Sequence, residues 1–265
     1  MINRRVVRTI LNATETTAKT NTPSATTLAF VIGAADAFYM GFEGKFASRH
    51  FKLATLNVNA VTVTIEYWTG SAWAAVKDVV DQTVGFTQSG FIHWENQDNW
   101  KAHKLAPVLD IDLYWIRLKV SGTLSVGTAL QSVLNIFCDD DLLRAYYPEL
   151  IADTRWLPPG RTDFLEQYLA AKDLVVLRLK QRKLITDESQ VIDVNGVEVA
   201  AVHATAKIIM APIATSDESR QRLKDATDSF DLESGELTLR VDQDKDGVVS
   251  EGEKEDIRSM NWTRR

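Results

Sequence analysis

Apolar and polar residues alternate with period two through much of the first half of the chain. In VTVTIEYW, residues 61 to 68, Val61, Val63, Ile65 and Tyr67 share one face, and Thr62, Thr64, Glu66 and Trp68 take the other. This is the pattern of a half-buried strand rich in β-branched and aromatic side chains. Thr69-Gly70-Ser71 then turns the chain into AWAAV, which completes a hairpin. LYWIRLKV, residues 113 to 120, repeats the pattern with Tyr114, Ile116, Leu118 and Val120 pointing one way. Several such runs, separated by Gly- and Asn-containing turns, predict an antiparallel β-sandwich, jelly-roll-like, over residues 28–138. Ahead of it, residues 1–27 read as an N-terminal arm, because NATETTAKTNTPSATT (12–27) has no apolar period and reads as extended chain or loop.

After Cys138 the period changes to that of helices, so the chain is expected to be α+β. LLRAYYPEL is a short helical piece closed near Pro148, and Trp156-Leu157-Pro158-Pro159-Gly160 is a rigid connector. Thr162 is placed to cap the next helix, with Asp163 and Glu166 near its positive end. Leu165, Leu169, Val176 and Leu179 recur along that helix at helical spacing, and the basic run Lys180 to Lys183 suits its C-terminus. A polar turn and a short strand near Val191 to Val194 precede a second helix, Val197 to Met210. A third, Asp217 to Leu232, sets Leu223, Ala226 and Phe230 on one stripe. Residues 139–236 thus form a small helical domain. Three short helices bury little on their own, so they are expected to pack on the sandwich or on a neighbouring subunit.

Size and charge narrow the picture. At 265 residues two domains are the natural expectation, and 45% apolar with 25% charged residues is ordinary for a globular protein. A net charge of −6 argues against a protein that coats nucleic acid, and the basic clusters Arg4, Arg5, Arg8 and Arg264, Arg265 read as solubilising charge at the termini. The single cysteine, Cys138, excludes an intrachain disulfide, sits between apolar neighbours and fits synthesis in a cytoplasm. The apolar run near Val6 to Leu11 is broken by Arg8 and Thr9, which does not make a secretory leader. No stretch approaches the ~20 apolar residues that span a bilayer.

One motif carries specific chemistry. The run from Asp242 to Glu253 matches a calcium-binding loop: Asp242, Asp244 and Asp246 offer alternate carboxylates and Gly247 permits the sharp turn. Val248 supplies a main-chain carbonyl, Ser250 binds directly or through water, and Glu253 closes the sphere with two oxygens. Calcium takes six to eight hard oxygens, and without a cation these carboxylates would repel one another. The competing reading is a solvated acidic turn. Leu237 to Val241 is short for an entering helix unless the third helix continues through Ser234 and Gly235, and no second loop is present to pair with this one. Residues 237–265 are therefore expected to hold a structural calcium that staples the C-terminal tail.

Enzymatic motifs are missing. His50, His93, His103 and His203 form no close ligand pair, GFEGK at 41–45 lacks the spacing of a phosphate loop, and Cys138 has no nucleophile context. Asp139 to Asp141 read as a polar junction between strand and helix. The chain is expected not to be an enzyme. Trp68, Trp73, Trp94, Trp100 and Trp115 all fall in the sandwich, as core and edge packing or as stacking platforms for sugar rings; Trp68 and Trp73 flank one hairpin and suit a cross-strand pair.

IEYWTGSAWAAV, GFIHW and YWIRLKVSGTLS resemble β-sandwich domains of tailed-bacteriophage virion proteins. AYYPEL, LPPGRTDFLEQYLAAKDLVVLRLKQ and the last helix leading into LRVDQDKDGVVSEGE are similar to head–tail connector proteins, small helical adaptors that form a ring beneath the portal. Together these resemblances span about residues 28 to 255, and the sandwich is an addition to the all-helical connector pattern. They imply a structural virion protein assembled in the host cytoplasm: a homo-oligomeric adaptor ring joining portal to tail, with neck or tail proteins as partners. DNA would pass through without specific binding, and no membrane would be involved. The alternative is a carbohydrate- or receptor-binding module of a tail or baseplate, which predicts exposed, coplanar tryptophans in a sandwich groove.

Overall fold

The computed structural model of the chain describes residues 8–20, 27–186, 188–191 and 194–237. Its architecture is α+β, in two compact units, the first ending at Asn135 and the second beginning at Ile136. The first unit contains β1 (Arg8–Leu11), β2 (Thr14–Glu15), a one-turn helix α1 (Thr17–Thr20), β3 (Leu28–Ala29), β4 (Phe38–Phe42), β5 (Ser48–Thr55), β6 (Val63–Trp68) and β7 (Trp73–Ala75). It continues with β8 (Val80–Asp81), β9 (Gly90–His93), β10 (Ala102–Leu105), β11 (Leu109–Val120) and β12 (Ala129–Leu134). These strands make two antiparallel sheets, one in the order β2-β1-β4-β11-β6-β7 with β10 also on β11, the other β3-β12-β5-β9-β8. Alternate residues of both sheets enter one apolar core, among them Phe38, Met40, Ile65, Ile116 and Leu118 from the first and Phe51, Ile92, Leu130 and Val133 from the second. Apolar residues contributed by two sheets to one core are compatible with a β-sandwich.

The predicted hairpin is present, with Trp68 opposite Trp73 and Val63, Ile65 and Tyr67 buried. In β11 the inward residues are Ile116, Leu118 and Val120, but Leu113 and Trp115 are buried as well. They form a second cluster with Ile10 and Leu109, against which Tyr39, Trp73, Leu105 and Val108 pack. Trp115 pairs with Gly41 of β4, and a Cβ on Gly41 would lie 2.5 Å from the indole. The strand neighbour must therefore be glycine for the ring to lie flat across it. The Trp115 indole N–H donates to the His103 carbonyl at 2.8 Å, and that of Trp100 to the Trp115 carbonyl at 3.1 Å, so both buried rings keep their polar edge satisfied.

Residues 8–20 differ from the loose arm expected for 1–27. Arg8–Leu11 pairs with β4, and Asn12-Ala13, both in the left-handed region, turn the chain back into β2. What packs here is hydroxyl instead of hydrocarbon. Thr9, Thr16, Thr17 and Thr20 are buried, with Thr9 Oγ1 at 2.9 Å from Thr16 Oγ1 and 2.8 Å from Thr20 Oγ1, while the Thr17 hydroxyl accepts from the Thr9 amide at 3.0 Å. Threonines that satisfy one another can be buried without leaving an orphan polar atom.

The second unit holds α2 (Asp140–Tyr146), α3 (Pro148–Ala152), α4 (Leu165–Gln181), α5 (Glu198–Met210) and α6 (Asp217–Glu236). Asp139 caps α2, its Oδ1 accepting from the Asp141 and Leu142 amides at 3.1 and 2.9 Å, which realises the polar junction. Thr162 does not cap α4: the helix starts at Leu165 behind Phe164, and it is Asp163 Oδ1 that accepts the Leu165 amide, at 3.3 Å. Short 3-10 turns at Glu188–Gln190 and Asn195–Val197 flank the short strand expected near Val191 to Val194, of which residues 192–193 lie outside the described residues. The alanines Ala200, Ala201, Ala204 and Ala206 of α5 are all buried, and their small size lets α4 and α6 both approach closely. α4 and α6 meet through Arg178 and Asp231 at 3.4 Å and through the Arg182 guanidinium on the Ser234 carbonyl.

His203 of α5 sits between Tyr146 and Tyr147 in edge-to-face contact, with the Tyr147 hydroxyl 2.7 Å from Nδ1. Burial holds His203 below the ordinary histidine range, against a weaker upward pull from Glu233, and burial also pushes Tyr147 up to about 12. The fold thus favours neutral His203. Its contribution is fully present above the unfolded value and is lost as pH falls through that value toward the folded one. Thermal stability should therefore decline as pH drops from about 7.5 to about 5.5, and His203→Phe should flatten that decline. Thermal melts of both proteins across this window check it; equal pH slopes would refute it.

Candidate interaction surface

The predicted calcium ligands Asp242, Asp244, Asp246, Val248, Ser250 and Glu253 lie outside the described residues. The helix before them is longer than the expected Leu232 end, since α6 runs on through Ser234 and Gly235 to Glu236. Among the described residues no group of three or more His, Cys, Asp or Glu is placed to hold a metal ion. The four histidines have separate surroundings. His50 and His93 flank Phe91, His103 stacks on Trp68 at 4.3 Å, and His203 meets Tyr147. Cys138 is buried, and that burial pushes its thiol well up, away from the thiolate a nucleophile needs. Asp140 accepts from the Tyr168 hydroxyl at 2.7 Å, and Asp141 pairs with Arg144.

The tryptophans divide in two. Trp94, Trp100 and Trp115 are buried. Trp68 and Trp73 are partly exposed and form the cross-strand pair, 5.5 Å apart with planes inclined at 64°. Tyr39 meets Trp73 at 62°, and the Arg117 guanidinium lies 4.8 Å from the Trp73 ring while pairing with Glu66 at 2.5 Å. Trp73 packs edge to face on Trp68 and Tyr39 and against a cation, and Trp68 stacks on His103, so the two indoles do not present the coplanar platform that a sugar-stacking groove uses.

A better-built surface lies where three loops of the first unit converge on Asn57. This buried side chain donates from Nδ2 to the carbonyls of Asn59 and Gly85 at 2.7 and 2.8 Å, and accepts at Oδ1 from the amides of Asn59 and Ser125 at 3.1 and 2.9 Å. Its own amide donates to Phe86 O at 2.8 Å, Asn59 Nδ2 to Thr123 O at 2.9 Å, and the Val58 amide to Ser125 Oγ at 3.1 Å. All four side-chain hydrogen-bonding positions of Asn57 are used, which ties the 57–59, 83–86 and 123–128 loops into one block. Asp81 braces the middle loop, accepting from the Thr83 amide at 2.9 Å, the Thr83 hydroxyl at 2.5 Å and the Gly85 amide at 2.9 Å.

That middle loop is strained. Val84, Gly85 and Phe86 all have positive φ, 50°, 64° and 67°. Phe86 gains by it, since its ring is buried against Phe30 and Phe51 at 5.2 and 5.6 Å. Gly85 is forced, because a Cβ there would meet the Val61 carbonyl at 2.4 Å. Val84 gains nothing comparable: a β-branched residue in this region costs about 1–2 kcal/mol, which Asn or Gly would avoid. Yet Val84 is 61% exposed, and the other two loops carry Val58 at 82% and Val126 at 96%. In residues 54–62, 82–89 and 121–129 there is no Asp, Glu, Lys, Arg or His, in a chain that is 25% charged. Hydropathy along the chain does not reveal this surface. The signal for it is a valine embedded in each polar turn, as NVN, TVG and SVG.

The second unit also carries apolar residues on the outer side of α4. With about 3.6 residues per turn, Ala170, Leu174 and Leu177 fall on the side of α4 opposite its buried stripe of Leu165, Tyr168, Val175 and Leu179. Ala170 and Leu174 are partly buried and Leu177 is 50% exposed. No helix among the described residues is long and apolar enough to cross a membrane.

Asn57→Ala should leave Gly85 O, and the amides of Asn59 and Ser125, without their partner and cost on the order of 3 kcal/mol. Amide hydrogen exchange checks the assignment: the Asn59 and Ser125 amides should lose protection before those of β11 do. Neither a scan against protein-family models nor a search of curated proteins finds a match to this chain.

Proposed function

We propose that this chain is a structural, non-catalytic subunit of a larger particle, a connector-type adaptor of a tailed-phage virion. In this reading it assembles in the host cytoplasm into a homo-oligomeric ring that joins the portal to neck or tail proteins. DNA passes through the ring without specific binding, as suits an acidic chain whose surface repels the phosphate backbone. The jelly-roll-like sandwich precedes the helical connector part in the chain, and calcium at Asp242, Asp244, Asp246, Val248, Ser250 and Glu253 fastens the tail of each subunit. The observation that carries the reading is the two-sided α4, whose Leu174 and Leu177 lie opposite the stripe that packs on α5. In this reading a second subunit covers Leu177 and the exposed part of Leu174.

Mass photometry and negative-stain imaging of the full chain should reveal a ring of many copies, and Leu174→Glu with Leu177→Glu should reduce it to smaller species without unfolding it. A wild-type chain that stays monomeric up to tens of micromolar would refute the ring. Calcium should raise the melting temperature by several degrees over a chelator-treated sample, and Asp244→Ala with Glu253→Gln should abolish the difference; calcium-independent melting would return the loop to a solvated acidic turn. The alternative, a carbohydrate- or receptor-binding module, would use the sheet face carrying Tyr39, Trp68 and Trp73, and glycan binding that Trp73→Ala abolishes would favour it over the adaptor.

A further inference from the structure

We infer that the open edge of β11 is a docking site for the chain's own N-terminal segment, MINRRVV (residues 1–7), which adds to the sheet there as one more strand. That segment lies outside the described residues, whereas the edge that receives it is described throughout. β11 is 12 residues long, and its two sides are not covered alike. On one side β10 and β6 follow each other along it, pairing at Leu109, Leu113 and Tyr114 and then from Ile116 to Val120. On the other side β4 pairs only from Tyr114 to Leu118, because after Phe42 the chain leaves this sheet for β5 of the other one. From Leu109 to Leu113 that side has no strand against it among the described residues, and Asp110, Ile111 and Asp112 are all exposed. A strand edge with backbone hydrogen-bonding groups left over is a template for another strand.

Place, charge and side-chain pattern select the occupant. Arg8, where residues 1–7 join the described chain, pairs with Gly41, one residue before Phe42, so the segment starts where the slot beside β11 opens. At about 3.3 Å per residue it is long enough to cover 109–113 after a sideways step of about 4.8 Å into the slot that β4 vacates. The tether also raises its local concentration far above that of a free partner. β1 is antiparallel to β4 and β4 to β11, so the new pairing is parallel. The edge is acidic, with two aspartates against the single Lys104, which pairs with Asp110 at 3.0 Å, while MINRRVV carries Arg4 and Arg5 and no acid. The same charges disfavour the β11 edge of a second copy, which would set Asp110 and Asp112 against their own like. Ile10 of β1 belongs to the cluster of Leu109, Leu113 and Trp115. That alternation carried back puts Ile2, Arg4 and Val6 on the face of Ile111, and Asn3 and Arg5 on the face of Asp110 and Asp112. Ile2 and Val6 then cover Ile111, which is 45% exposed, and Arg5 meets Asp112. The docking closes an edge open to foreign strands, and it involves one chain only, so it does not depend on the ring.

Hydrogen exchange read by mass spectrometry on the full chain tests it, beside a deletion of residues 2–7, Arg5→Glu, and Arg5→Glu combined with Asp112→Lys. In the wild type, peptides covering 109–113 should exchange slowly. The deletion and Arg5→Glu should each speed that exchange about tenfold while 115–120 stays protected, so that the sheet is seen to remain folded. Adding Asp112→Lys to Arg5→Glu should bring slow exchange back, which a general loosening of the strand would not allow. Equal exchange at 109–113 in the wild type and the deletion, whether fast or slow, overturns the docking. Protection that disappears when the wild type is diluted from micromolar to nanomolar concentration assigns the strand to a second copy and likewise overturns it. A wild-type chain that is monomeric yet protected at 109–113 refutes the ring and leaves this docking intact, so the two fail separately.

Discussion

The first unit depends on burying both faces of β11. A strand in the middle of a sheet can leave one face to water, and alternation then separates apolar from polar residues. Here Ile116, Leu118 and Val120 enter the core that both sheets supply, while Leu113 and Trp115 anchor a second cluster on the other face. Trp115 makes this possible only because Gly41 stands opposite it and because the His103 carbonyl takes its N–H. β4 and β10, which provide these two partners, lie on opposite sides of β11. The outer cluster in turn fixes Tyr39 and Trp73, which meet edge to face instead of lying open.

This is also where sequence and structure part. The inward positions of β6 and β11 were legible, because a period of two with β-branched residues has few other readings. The outer burial was not: Leu113 and Trp115 occupy positions that alternation assigns to solvent, and only a cross-strand glycine far away in sequence shows that an indole can lie there. Residues 8–20 were misread for a related reason. Thr9, Thr16, Thr17 and Thr20 look like loop composition, and hydropathy contains nothing to say that their hydroxyls satisfy one another. At the start of α4, Thr162 and Asp163 are both good capping types, and spacing alone could not tell which would reach the Leu165 amide.

The candidate surfaces were legible to different degrees. The two faces of α4 follow from its spacing, yet a stripe of Leu165, Leu169, Val176 and Leu179 hides that Leu174 and Leu177 form another. The loop block required three distant segments to be brought together, which no local pattern encodes. Asn57 is the residue that does so, and an isolated asparagine in a turn is too common to mark itself. The calcium-type loop shows the reverse case, a strong local motif from Asp242 to Glu253 that is complete in sequence and needs no tertiary information to be recognised.

The two units handle their polar groups alike, and that bears on what the molecule is for. The indoles of Trp100 and Trp115, the threonine hydroxyls, Asn57, Asp139 and Asp140 each have a partner at hydrogen-bonding distance inside the fold. A catalytic site works differently, since its reactive groups must be held ready for something that is not there yet. Among the described residues Leu177 on one helix and Val58, Val84 and Val126 on three loops are exposed apolar groups, while Asn96, Ser132 and Gln167 carry buried polar atoms without a hydrogen-bond partner. On the reading proposed above, another subunit supplies the burial that the exposed apolar side chains lack.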